Sequence, residues 1–263
     1  NWELVAINPA NKKWDWKDLF CFWGVNVQSI IGFSLIASLY TIYNLNSFVV
    51  FAGSILGSIL VYFFSNLIGR PSQKYGLPFA TILRSSLGYS GAKFFGFLRS
   101  LVGIFMFGIQ TYFLSKAINY LIRISFFTID SSILDKDIFL IFLLGLNIID
   151  WSSLVICIII QIYIFSKGML FNRKIINFSA IIVYLGLMFF FLIILLSDVK
   201  LTSKAFIEIL NFENYLDYNN IVPIISVAGT VFAYFSIIIV SLGDFTRYVK
   251  DNKNLKNGNL TLL

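Results

Sequence analysis

Long apolar runs alternate along this chain with short polar connections, and most of the runs are about as long as a bilayer is thick. A bilayer core takes about 20 apolar residues per helix. That ruler predicts six membrane spans, at residues 19–43, 47–68, 94–118, 148–165, 175–196 and 222–242. A seventh apolar run, 138–144, is too short to cross alone and is expected to lie at the interface or to extend the fourth span.

Two of the spans are interrupted differently from the rest. The first reads Gly24-Val25-Asn26-Val27-Gln28-Ser29, with Gly32 and Ser34 following, and the sixth carries Pro223, Ser226, Gly229, Thr230, Ser236 and Ser241. Inverted repeats of five helices would place a matched pair of broken helices at these two positions. Routine helix packing through Gly and Ser explains the same residues. In the second span Gly53 and Gly57, beside Ser54 and Ser58, predict a tight approach of a neighbouring helix. Lys116, near the outer end of the third span, is expected to snorkel to the headgroups.

Composition turns these runs into a class. Hydrophobic residues make up 58% of the 263, aromatics 18% and charged residues 13%, with mean hydropathy +0.84. A soluble domain needs about a quarter charged residues to cover its surface, so the chain reads as an all-α integral membrane protein. The net charge of +7 fits loops facing an anionic leaflet better than nucleic acid. With no histidine, the commonest metal ligand and pH switch is missing. Cys21 and Cys157 lie in or beside apolar stretches and read as packing residues. The polar start shows no signal-peptide core. A first residue other than Met and the polar stretch 252–259 suggest a piece of a longer reading frame, either an incomplete one or a truncated, non-functional remnant.

Charge also orients the spans. The connections after spans two and four and the tail after span six hold twelve basic residues against two acidic ones, Asp244 and Asp251. The connections after spans three and five hold four basic residues against eight acidic ones: Asp130, Asp135, Asp137, Asp150, Asp198, Glu208, Glu213 and Asp217. Basic residues favour the cytoplasmic side, which puts both ends of the chain inside a cell membrane. An odd number of spans would scramble this asymmetry.

Candidate chemistry is sparse and therefore informative. No Asp or Glu falls in the middle of a span, so a proton relay through a buried carboxylate is not expected. A coupling cation would be held by backbone carbonyls at a helix break, which suits a hard ion such as sodium. Gln110, at mid-depth on the third span, is costly in lipid without a partner; helix–helix glue and ligand contact both satisfy it. A membrane enzyme would need clustered acids or histidines, and the acids here are scattered singly.

Several motifs match one family. Residues 76–110 read Gly76-Leu77-Pro78-Phe79, Arg84-Ser85-Ser86-Leu87-Gly88, Gly91-Ala92, Arg99 and Phe107-Gly108-Ile109-Gln110. Asn8-Pro9 and Trp14 precede the first span, Phe22-Trp23 through Gln28 lie in it, and Asp244-Phe245-Thr246-Arg247-Tyr248 ends the sixth. Together they resemble the nucleobase:cation symporter-1 family of secondary transporters, over nearly the whole chain. The resemblance implies a leucine-transporter-like fold with twelve helices, of which this chain holds the first five-helix repeat and the sixth helix. It implies a small planar nitrogen compound as substrate, such as a nucleobase, allantoin or hydantoin, with the Phe-Gly-Ile-Gln pattern closer to allantoin or uracil members.

By the same resemblance Gln28 and Gln110 bond the amide edges of the substrate ring. Met106 stands where the third span usually has Trp, and Phe235, beside Tyr234, stands where the sixth often has Trp. The carbonyls of Gly24 and Val27 match half of a sodium site whose other ligands lie on an eighth helix. No other cofactor is implied. Gln28, Gln110 and Phe235 are expected to converge on one ligand.

Overall fold

The computed structural model describes residues 5–130, 142–209 and 220–263. The chain forms a multi-pass helical membrane protein. Five described helices are long and apolar enough to cross a membrane: α3 (Ser47–Tyr75), α4 (Phe79–Ile129), α5 (Ile148–Ser166), α6 (Met169–Ser197) and α8 (Ile221–Ser241). Two shorter helices, α1 (Trp16–Val27) and α2 (Ile30–Thr41), meet at a 54° bend and make a sixth span if taken as one. Shorter still are α7 (Val199–Ile209), α9 (Gly243–Thr246) and α10 (Asn252–Leu260). The chain divides into two compact units, Asn1–Ala92 with Ile175–Leu263, and Lys93–Lys174.

The first unit is organised by α3 lying on α8. Lipid offers no hydrophobic drive between helices, so close contact depends on small residues that let backbones approach. Gly53 and Gly57 supply them. A Cβ on Gly53 would sit 2.6 Å from Val227 Cβ, and one on Gly57 would sit 2.8 Å from Val231 Cβ. The tight packing predicted for this pair is what the structure contains.

One end of this unit is tied by polar bonds. The Trp14 N–H donates to the Tyr248 carbonyl at 3.0 Å, and the Lys250 N–H donates back to the Trp14 carbonyl at 3.1 Å. The Lys250 ammonium lies 2.7 Å from Asp15. Lys12 donates to the Gln73 carbonyl at the end of α3, and partial burial there lowers its pKa. Behind this seam the Trp23 indole N–H donates to Asn259 Oδ1 at 3.0 Å, and the Asn259 amide donates to Asn66 Oδ1 at 3.1 Å. Asn259 is fully buried, and its bond to Trp23 is buried with it.

The motif at 244–248 completes the tie. An Asp244 carboxylate oxygen accepts from the Phe79 N–H at 3.0 Å, capping α4. Thr246 donates to the Gly69 carbonyl. Phe245 packs on Phe22 with ring centroids 4.7 Å apart. The family-like signature is therefore a structural joint between α1, α3 and α4.

Three expectations are corrected. The sixth span is not broken: α8 runs unbroken over residues 221–241. Pro223 falls in its first turn, where no helical N–H is lost. Ser226 and Thr230 bond back to the carbonyls of Val222 and Ser226, absorbing their own polarity. Residues 84–92, left in the connection between the second and third spans, are helical as well, and α4 is interrupted only at Gly88, where φ is 68°.

The apolar run at 138–144 does not extend the fourth span in its described part. Residues 138–141 lie outside the described residues, and Phe142–Leu143 pairs with Leu146–Asn147 as a hairpin, β1 and β2. Its two-residue turn, Leu144 and Gly145, has positive φ at both positions, as strand twist favours. Asn147 and Asp150 then start α5 as a reciprocal capping box. Lys116, near the outer end of the third span, has a protein partner. Its ammonium is 2.7 Å from Asp150, which also accepts from Asn119, and Asn119 in turn accepts from Arg123.

Candidate functional site

The break in the first span is built by Gln28 and Ser29. Gln28 ends α1 with φ −89° and ψ 53°, and Ser29 is the N-cap of α2, its side chain accepting from the Gly32 N–H at 3.0 Å. A serine ahead of an apolar run is a helix-start signal, so residues 28–29 close one helix and open another. Breaking the ladder frees backbone groups. The Gly24 carbonyl still accepts from the Gln28 N–H at 3.1 Å, whereas no backbone N–H among the described residues donates to the Val27 carbonyl.

Across the break stands Tyr234 of α8. Its hydroxyl is hydrogen-bonded with Ser29 Oγ and reaches the Asn26 carbonyl at 3.5 Å. Phe235, the next residue, is 8% exposed and meets Trp23 edge-on with ring centroids 6.2 Å apart. Beside them a cavity of about 370 Å³ opens between α1, α2, α3 and α8, lined by Val27, Gly32, Phe33, Ser54, Tyr234 and Phe235 among others. It is mostly apolar, with the hydroxyls of Ser54, Ser58 and Tyr234 as its polar points. In such a pocket the apolar lining buries the ligand's surface and the few polar groups fix its orientation.

The expected site residues fall into two sets. Val27, Tyr234 and Phe235 share this cavity, with Gln28 next in the chain but not among the residues that line it. The Gln28 side-chain oxygen is buried and has no hydrogen-bond partner among the described residues. Gly24 is covered by the ring of Tyr184 from α6, which leaves no room there for a side chain. Met106 and Gln110 stand one turn apart on α4 in the second unit. Met106 is half-buried and Gln110 is exposed, with no side-chain hydrogen bond among the described residues.

Sequence reasoning passed over Ser29 as a functional residue, although its helix-capping position was a readable signal. It also missed Asp18, a buried carboxylate at the start of α1 that accepts from the Asn177 amide at 2.7 Å. Nothing local marks Asn177 as its partner.

Comparison with known proteins follows the same direction. A family model described as "Permease for cytosine/purines, uracil, thiamine, allantoin" matches residues 6–263. A Bacillus subtilis (strain 168) protein named "Allantoin permease" is 31% identical over 122 residues, which is 46% of this chain and 25% of that protein. An Escherichia coli (strain K12) protein named "Putative allantoin permease" is 31% identical over 111 residues, 42% of this chain and 23% of that protein. The matched stretches thus span about a quarter of each relative's length. No solved structure matches the chain significantly.

Proposed function

The chain belongs to the family of permeases for cytosine/purines, uracil, thiamine and allantoin, and on that premise we propose that it serves a secondary active transporter importing a small planar nitrogen compound. Allantoin or a related ureide fits the two named relatives; nucleobases and hydantoins share the same ring edges. The observation that carries this reading is the Gln28 side-chain oxygen, buried and unpartnered at a helix break. A buried acceptor without a donor is costly, and a ring N–H of the substrate would satisfy it. Gln110, exposed on α4, offers a second amide with one acceptor and two donors. Met106 would pack on the ring edge through its polarizable sulfur.

Coupling to a cation is part of the proposal. The open Val27 carbonyl and the remaining lone pair of the Gly24 carbonyl are the groups of this chain that would hold sodium. Its charge would steady the break in the substrate-ready form. Two carbonyls are too few for a hard cation, and further ligands would come from a helix outside this chain. The proposed architecture is a leucine-transporter-like fold, both ends cytoplasmic, with spans one, two and six rocking against three and four.

The test is uptake of radiolabelled allantoin by cells expressing the full-length protein, with unlabelled nucleobases and ureides as competitors. Gln28→Ala and Gln110→Ala are each expected to cut uptake roughly tenfold or more, the loss of one buried hydrogen bond to ligand, with membrane insertion unchanged. Unchanged uptake removes their ring-binding role. Replacing sodium by choline is expected to slow transport, and indifference to sodium points to protons or to uniport.

A further inference from the structure

The Tyr234 hydroxyl does not stop at the cavity wall. The Gly32 N–H donates to Ser29 Oγ at 3.0 Å, Ser29 bonds Tyr234, and Tyr234 donates onward to the Asn26 carbonyl at 3.5 Å. This chain of donors joins α1, the break and α2 through one side chain of α8. The break is approached closely at Gly32, where a Cβ would lie 3.1 Å from the Val27 carbonyl oxygen, 3.3 Å from Ser29 Oγ and 3.5 Å from the Tyr234 hydroxyl. The two halves joined are anchored unequally. Asp18, Leu19, Phe22, Trp23 and Gly24 of α1 are buried, whereas Leu39 alone is buried in α2.

We propose that Tyr234 and Ser29 form a strap that holds α2 against the sixth span, and that its opening lets α2 swing at residues 28–29 while α1 stays fixed. Tyr234 is then a positioning residue, setting the angle at which Gln28 and Val27 face the site rather than contacting substrate itself. The proposal rests on the transport reading for its purpose but not for its test.

The test places a cysteine at Leu39, the buried residue of α2, in full-length protein whose native cysteines are replaced by alanine. Alkylation by N-ethylmaleimide in membranes is followed by mass spectrometry. Tyr234→Phe is expected to raise the alkylation rate about threefold to tenfold, the factor set by one hydrogen bond, with thermal stability little changed. Ser29→Ala, which also removes the cap on the Gly32 N–H, should raise the rate at least as much, the double variant should equal Ser29→Ala alone, and Ser29→Thr, which keeps the hydroxyl, should restore the original rate. Equal rates in all variants, or effects that multiply in the double variant, overturn the strap. An alkylation shift in a protein that transports none of the competitor panel keeps the strap and discards the transport reading.

Discussion

Gly53→Ala adds one methyl group where α3 meets α8, and its effect can be worked from the contact. The new Cβ would lie 2.6 Å from Val227 Cβ and 2.8 Å from the Ile224 carbonyl oxygen. Neither neighbour can give way cheaply. Val227 is β-branched and locked in its rotamer, and the carbonyl belongs to the α8 backbone. Overpacking of this kind costs about 1–3 kcal/mol, offset by roughly 0.5–1 kcal/mol of helix propensity gained when glycine is replaced. The net loss is about 1–2 kcal/mol, or a fall in Tm of roughly 2–8 °C at this chain size. Gly229→Ala is the control, because it lies on α8 with nothing within 4 Å of its Cβ; it should be neutral or stabilising. Thermal unfolding of the purified protein in lipid nanodiscs, followed by tryptophan emission, measures both. If Gly53→Ala melts with the parent protein, or the two variants fall together, the α3–α8 contact is not what the structure says.

Other outcomes are equally open to measurement. Asn259→Ala strands the Trp23 indole N–H in a buried site, and should cost about 1–3 kcal/mol and alter Trp23 fluorescence; an unchanged melt counts against the buried bond. Gly88→Ala meets no steric obstacle, yet forces a side chain into φ 68°, ψ −176°. A loss of roughly 1–3 kcal/mol from backbone strain alone is expected, and a stable variant would mean α4 runs straight through residue 88.

What the sequence disclosed depended on the range of the interaction. The helical class, the interrupted first span and the Gly53–Gly57 contact all follow from residues within one or two turns of each other, and all three are present. The intact sixth span misled because Gly and hydroxyl residues look alike as hinges and as self-satisfied packing; only the back-bonds of Ser226 and Thr230 separate the two. The ion pair of Lys116 was not legible because its partner, Asp150, is 34 residues away. Of the candidate site, Val27, Tyr234 and Phe235 do share a cavity. The choice of Gln28 and Gln110 came from matched motifs, since no local pattern distinguishes a ligand-binding glutamine from one that glues helices.

The seam joining Trp14 to Tyr248 and Lys250 has a consequence for biogenesis. Residues at opposite ends of the described chain must meet before Trp23 has its polar partner, since Asn259 arrives 236 positions after Trp23. Contacts so distant in sequence form late. During synthesis α1 therefore waits, its tryptophan unpaired, until the segment carrying α10 has emerged and folded back. A chain stalled before Asn252 would hold every apolar span described here and still lack the piece that locks the first one in place.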